Sequence, residues 1–201
     1  MSKQLIIIGA GGHGRVAVDI AKLRGYEDIA FLDDQEVKNV NRIGKTSDFE
    51  KYLDTAEFFV GIGSNGARKT VFEKLEKAGA KIASLIHPSA VVAQDVTIGK
   101  GVAIMAGAVV NTGSRIEDGV IVNTCASVDH DCRIGAFSHI SVGSHLAGTV
   151  TVGEMTMIGA GATVINNITI CGSCTIGAGA VVVRNVEEAG VYAGVPCRRM
   201  K

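Results

Sequence analysis

From Ile86 onward an aliphatic residue returns at every sixth position, from Ile86, Val92 and Ile98 through to Ile176 and Val182, seventeen times without an exception. Two residues before most of these lies a small side chain, as at Ala108, Ser114, Cys132, Ser138 and Cys174. Neither an α-helix nor an ordinary sheet repeats at six. A parallel β-helix of hexapeptides does, each repeat being one short strand and one turn. With three hexapeptides to a coil of about 18 residues, the pattern predicts between about five and six coils of triangular section. The aliphatic positions then point inward as a stacked column of Ile and Val.

Residues 1–85 follow different periods. KQLIIIGAGG reads as a buried strand, GRVAVDIAKLRG as a helix ending at Gly25, and DIAFLDD as a second strand. TSDFEKYL reads as a short helix capped by Thr46 or Ser47, EFFVGIGS as a third strand, NGARKTVFEKLEKAG as a helix, and KIASLI as a fourth strand entering the repeat. Alternating strands and helices predict a small Rossmann-like parallel sheet. The expected organisation is an α/β domain over 1–85 followed by an all-β domain, a parallel β-helix with a C-terminal tail, over 86–201. The period changes near His87 and Pro88.

Composition narrows the functional classes. Twenty basic and twenty acidic side chains balance, so no global charge steers the chain toward nucleic acid or an anionic membrane surface. No apolar run reaches the roughly 18 residues of a membrane span, and MSKQLIIIGAGG enters a strand pattern without a signal-peptide cleavage site. The expectation is a cytoplasmic protein. The 26 glycines, about twice the usual ~7%, fit a regular series of tight turns. Of five cysteines, only Cys171 and Cys174 have metal or redox spacing, and with no second pair they read as packing; no metal is expected.

Candidate chemistry falls in two places. Gly9-x-Gly11-x-x-Gly14 follows a strand and opens a helix, and Asp33 and Asp34 close the next strand about 20 residues on, the spacing of a nucleotide-binding fingerprint. Fewer than 90 residues precede the repeat, room for one mononucleotide unit, which favours a nucleotide or nucleotide-sugar over a dinucleotide. His13 is placed to donate to a phosphate or sugar, or is an exposed turn residue; Asp33 and Asp34 accept from a base or ribose, or are a solvated turn. Asn65, Arg68 and Lys69 face the same ligand or simply start a solvated helix. The second place is SVDHDCRIGAFSHI, residues 127–140, where ionisable groups interrupt the aliphatic repeat. His130 falls in a turn and His139 on an outward strand position, nine residues or half a coil apart. One chain should not unite them; two chains side by side should, which places a site in a cleft between subunits. Small residues at Gly161, Ala162, Gly179 and Ala180 in the later coils admit close approach by a pantetheine arm, or only serve to turn the coil. Arg198 and Arg199 would meet its phosphates or merely aid solubility.

GAGGHGRV, FLDD, IGSNGARK, NTCASVDHDCRIGAFSHISVG, AGTVTVGE and GVPCRRM occur in the order seen in sugar acetyltransferases that join a nucleotide-sugar domain to a left-handed β-helix. The chain most resembles the N-acetyltransferases acting on UDP-4-amino-sugars in bacillosamine synthesis; perosamine-type N-acetyltransferases and sialic acid O-acetyltransferases share much of the pattern. The resemblance implies acetyl-CoA as co-substrate, a UDP-amino-sugar acceptor and a homotrimer. It implies His130 as general base with Asp131 orienting it, His139 near the acetyl donor, Asn123 at the substrate, Gly148 along acetyl-CoA, and His13, Asp33 and Asp34 around the uridine nucleotide. Three rival readings remain: an O-acetyltransferase or a GDP- or dTDP-sugar enzyme using the same histidine, a zinc site built from His130, His139 and His145, and a sugar-nucleotide sensor without acetyl transfer.

Overall fold

A computed structural model describes residues 4–200. Lys3, which the sequence pattern includes in the first strand, lies outside them. The N-terminal sheet is parallel throughout, ordered β3-β2-β1-β4-β5 from β1 (Gln4–Ile8), β2 (Asp28–Leu32), β3 (Arg42–Gly44), β4 (Ala56–Val60) and β5 (Lys81–Ile82). Both of its faces are covered, as an all-parallel sheet requires. Leu5 and Ile7 pack with Ala17, Ile20 and Ala21 of α1 (Gly12–Leu23), while Ile6 and Ile8 pack with Phe72 and Leu75 of α2 (Asn65–Lys77).

The predicted fourth strand is corrected in one respect. KIASLI divides into β5, which closes the N-terminal sheet, and Leu85–Ile86, which already pairs with Ala103–Ile104 of the β-helix. Residues 46–52 form a 3-10 turn, and neither predicted cap forms. Asp48 Oδ2 reaches back to the Lys45 amide at 2.7 Å, while the Thr46 amide donates to Asp34 Oδ1 at 3.0 Å.

From Leu85 the chain winds through three parallel faces in turn. Face one carries Ile121–Val122, His139–Ile140 and Met157–Ile158; face two carries Val91–Val92, Ser127–Val128 and His145–Leu146; face three carries Arg115–Ile116, Arg133–Ile134 and Thr151–Val152. The second residue of each strand is inward, and from Ile104 to Val182 every one is at most 1% exposed. The small inward positions are more than filler where they are polar. Ser138 Oγ donates to the Gly153 carbonyl (2.9 Å) and accepts the Thr156 amide (3.1 Å); Thr156 Oγ1 does the same for Cys171 and Cys174 one coil on. Each hydroxyl satisfies two buried backbone groups that the corner leaves unpaired. Cys132 and Cys174 occupy this inward position, and Cys125 sits exposed at a turn.

Every sixth residue from Gly101 to Gly179 closes a corner with φ between 55° and 71°. Half of these are not glycine. Asp131 and Asn167 tolerate the left-handed region, but Phe137 and Met155 adopt it at a cost of roughly 1–2 kcal/mol each. Both lie at the corner between faces three and one, against α2. There Phe137 stacks edge-on to Phe72 at 5.2 Å, so packing offsets the backbone cost. The N-terminal domain also covers the start of face one, where Leu85, Ala103, Met105 and Ile121 join the core around α1.

Candidate active site

The carboxyl edge of the N-terminal sheet opens into a cleft of about 410 Å³ lined by Gly9, Gly11, Gly12, His13, Asp33, Asp34, Gln35, Thr46 and residues 61–63. The glycines divide by role. A Cβ on Gly14 would stand 1.9 Å from the Gly9 carbonyl oxygen, and one on Gly61 2.7 Å from Gly14 Cα, so these permit strand, loop and helix to touch. Gly11 and Gly12 face open space. Gly11 caps α1 without a side-chain hydrogen bond, and the first turn holds no acid, which leaves amide donors and the positive end of the helix turned to the cleft.

Asp33 braces the loop as well as lining the cleft: Oδ2 accepts the Ala10 amide (2.7 Å) and Oδ1 the Gln35 amide (2.8 Å). Asp34 uses Oδ1 for the Thr46 amide. Of Asn65, Arg68 and Lys69, the first two are corrected. Arg68 is 1% exposed and bonded to backbone carbonyls, and Asn65 Nδ2 donates to the Met155 carbonyl at 3.1 Å, so both serve the contact with the β-helix.

Beside this cleft the two domains bring three predicted residues together. His13 starts α1, His139 projects from face one, and Asn123 leaves face one a coil earlier. Asn123 Oδ1 accepts the Thr124 amide at 2.8 Å, which turns Nδ2 toward His139 Nε2 at 3.0 Å. That ring nitrogen is then the acceptor and the proton sits on Nδ1. Burial pushes both histidines down to about 4, helped for His13 by His139 and Arg68, and for His139 by Arg68; the Gly63 backbone opposes the shift at His139. Both imidazoles are neutral at pH 7. His13 Nε2 and His139 Nδ1 are buried without a well-formed hydrogen bond.

His130 stands elsewhere, in the turn from face two to face three. Its Nδ1 lies 2.8 Å from Asp131 Oδ2, and this bond raises its pKa above the ordinary 6.5. The turn is fixed from both sides. Asp129 Oδ1 accepts the His130 amide and Asn111 Nδ2, each at 2.8 Å. From inside, the buried Ser114 hydroxyl donates to the Asp129 carbonyl (2.8 Å) and accepts the Cys132 amide (3.1 Å), spanning the His130–Asp131 turn. Sequence reading registers Ser114 only as a small side chain; its hydroxyl, 18 residues before Cys132, was the signal.

Gly148 lies one coil beyond His130, and a Cβ there would be 2.4 Å from His130 Nε2. The Nε2 edge of the imidazole therefore rests over Gly148, while Nδ1 is engaged by Asp131. No hydrogen bond joins His130 to His139 within the chain. Among the cofactor candidates, Gly161 and Gly179 are exposed corners with open space where a side chain would stand. Ala162 and Ala180, the small residues that follow them, are fully buried in the column.

A nucleotide-type cleft, a paired histidine at a β-helix corner and a hexapeptide column define a hexapeptide-repeat acyltransferase. Residues 4–75 match the family described as PglD N-terminal domain. The acetyltransferase domain of PglB from Neisseria gonorrhoeae is 41% identical, with 99% of this chain and 100% of that one covered and a TM-score of 0.96. PerB from Caulobacter crescentus, solved with CoA and GDP-perosamine, is 39% identical over 98% of this chain and 97% of that one, TM-score 0.94. UDP-N-acetylbacillosamine N-acetyltransferase of Bacillus subtilis is 33% identical over 113 residues, 52% of each protein, so the match spans about half of that curated relative. The chain belongs to the N-acetyltransferases that join a PglD-type N-terminal domain to a left-handed β-helix.

Proposed function

We propose that this protein transfers the acetyl group of acetyl-CoA to the 4-amino group of a UDP-linked amino-dideoxy-sugar. The observation that carries the reading is the His130–Asp131 pair, with Nδ1 fixed by the carboxylate and the Nε2 edge of the ring over Gly148. The amine lone pair attacks the thioester carbonyl carbon, the C–N bond forms, and His130 Nε2 takes the proton released from nitrogen. As the C–S bond breaks, the CoA thiolate accepts that proton from the imidazolium, giving the amide and free thiol. Asp131 holds the ring with its lone pair on Nε2 and stabilises the transient imidazolium.

The acceptor is held by the cleft of residues 9–13, 33–35 and 61–63, with the diphosphate at the amide end of α1 and the base against the Asp34 carboxylate. UDP-linked substrates of the curated Bacillus relative support uridine, whereas the Caulobacter relative binds GDP-perosamine. The sugar then extends toward His13, Asn123 and His139, where His130 of a second copy completes the site. The exposed Val91, Val142 and Ile165 on and beside face two support burial of that face in a homotrimer, with His130 at its border. The pantetheine arm follows the exposed corners at Gly161 and Gly179. The test is thiol release from acetyl-CoA with UDP-, GDP- and dTDP-linked 4-amino-4,6-dideoxy-sugars. Turnover is expected with the UDP-sugar; turnover with GDP- or dTDP-sugar alone would reassign the nucleotide, and silence with all three would overturn the reading.

Gly148→Ala offers a finer check. The added methyl meets the exposed His130 ring, which swings away at little cost to folding. Expected is a kcat lower by roughly ten- to a hundredfold, the scale of a displaced catalytic group, with the melting temperature nearly unchanged. Unaltered kcat would show that Nε2 does not work from its place over Gly148.

A further inference from the structure

Arg68 is the largest fully buried side chain, and none of its bonds goes to a carboxylate. Nε donates to the Gly119 carbonyl at 2.7 Å. Nη1 donates to the Ile62 and Gly63 carbonyls at 3.1 and 3.0 Å. Nη2 donates to Asn65 Oδ1 at 2.9 Å and the Phe137 carbonyl at 2.7 Å, with Ser138 at 3.4 Å. All five N–H groups are engaged, which is what burial of a guanidinium requires.

The partners fall into two sets. Ile62 and Gly63 belong to the lip of the nucleotide cleft. Gly119, Phe137 and Ser138 belong to successive corners of the β-helix, and Ser138 immediately precedes His139. One planar fork therefore ties the lip that contacts a nucleotide to the backbone that carries the His139–Asn123 wall. Asn65 adds a parallel bond to Met155, the next corner in the same column. A packing role alone would be met by an apolar residue, since α2 already buries Phe72 and Leu75 nearby, and a charge without a counter-ion is a costly way to fill space.

We infer that Arg68 is a positioning residue, which sets the distance between the nucleotide cleft and the His139–Asn123 wall and so fixes where the sugar's reacting nitrogen lies. The inference rests on the proposed acceptor site. Its charge also faces both buried imidazoles: His139 has Arg68 and His13 as charged or titratable neighbours, and His13 has His139 and Arg68. Arg68 itself, though pushed down to about 10 by burial, stays protonated at neutral pH.

The experiment compares the parent with Arg68→Met and Arg68→Lys. A lysine keeps the charge but not the fork that reaches both carbonyl sets. UDP affinity is measured by calorimetry, kcat and KM by thiol release, and the His13 and His139 ring signals by NMR with and without UDP. Both variants should hold UDP within about threefold and lose about a hundredfold in kcat, the cost of roughly 1 Å of misplacement. UDP should shift the His139 signals in the parent and not in the variants. Unchanged kcat, a kcat loss that merely follows lost UDP affinity, or UDP-induced shifts at His139 that persist in the variants would overturn the inference. Should Arg68→Met not fold, Arg68→Lys decides; failure of both to fold would make Arg68 a folding residue and also overturn it. If the parent acetylates no amino-sugar, the functional reading fails on its own, and the UDP-induced shifts alone judge Arg68.

Discussion

Replacing His130 with alanine is expected to lower kcat by about a hundred- to ten-thousandfold, the usual contribution of a positioned general base, while leaving UDP affinity unchanged. The ring lies outside the cleft of residues 9–13, 33–35 and 61–63, is exposed, and among the described residues its side chain bonds to Asp131. The pH profile should carry the same signature. A base must be unprotonated, and the Asp131 bond raises the His130 pKa, so activity should fall as pH drops through a value above 6.5. Asp131→Asn removes the carboxylate and should move that limb to lower pH while reducing the maximal rate. Retained activity in His130→Ala, or a limb unmoved in Asp131→Asn, would point to another base.

A second large effect is expected in acid. His13 and His139 have pKa values of about 4 in the folded chain against 6.5 for the free side chain. Between those values the unfolded chain binds protons that the native chain refuses, so stability rises with pH across this window. It should therefore be lost progressively as pH falls from about 6.5 to about 4, by about 3–5 kcal/mol for the two imidazoles together. Asp48, Asp95 and Asp129, held below the ordinary carboxylate value mainly by hydrogen bonds, add further loss at lower pH. His130 acts in the opposite sense, its contribution present below 6.5 and lost as pH rises through its raised value, but it is exposed and fully solvated. Urea unfolding at pH 7 and pH 4.5 measures the difference. Equal stability at the two pH values would mean that the imidazoles are solvated, and His139→Asn should flatten the dependence if they are not.

The β-helix was legible because its six-residue period has no competitor among regular structures, and each inward Ile or Val repeats the same instruction. The N-terminal sheet was legible where strands run as continuous apolar stretches. It was illegible at Arg42–Gly44, whose three residues carry no apolar pattern, and at KIASLI, where two short strands of different sheets read as one. Within the site, the nine-residue offset placed His130 and His139 on different parts of the prism. The meeting of His13 with His139 was not readable, since it depends on how α1 lies against face one. Arg68 was misjudged because a charged side chain at a helix start is normally solvated. Its position was the overlooked signal: Arg68, Phe72 and Leu75 stand at i, i+4 and i+7, so the arginine lies on the apolar stripe of α2.

The coil also sets a rule for how such a chain can change in length. Because residue n stacks on residue n+18 throughout the paired strands, duplicating one coil beyond Val152 would add a rung of roughly 4.8 Å and leave each later side chain on its original face. Duplicating a single hexapeptide would instead turn everything downstream by a third of a revolution, carrying Gly161 and Gly179 off the corner between faces one and two that they share with Gly143. Length in this protein is thus quantised in whole coils, and tolerated insertions of any other size belong at the corners, as loops that leave the winding unaltered.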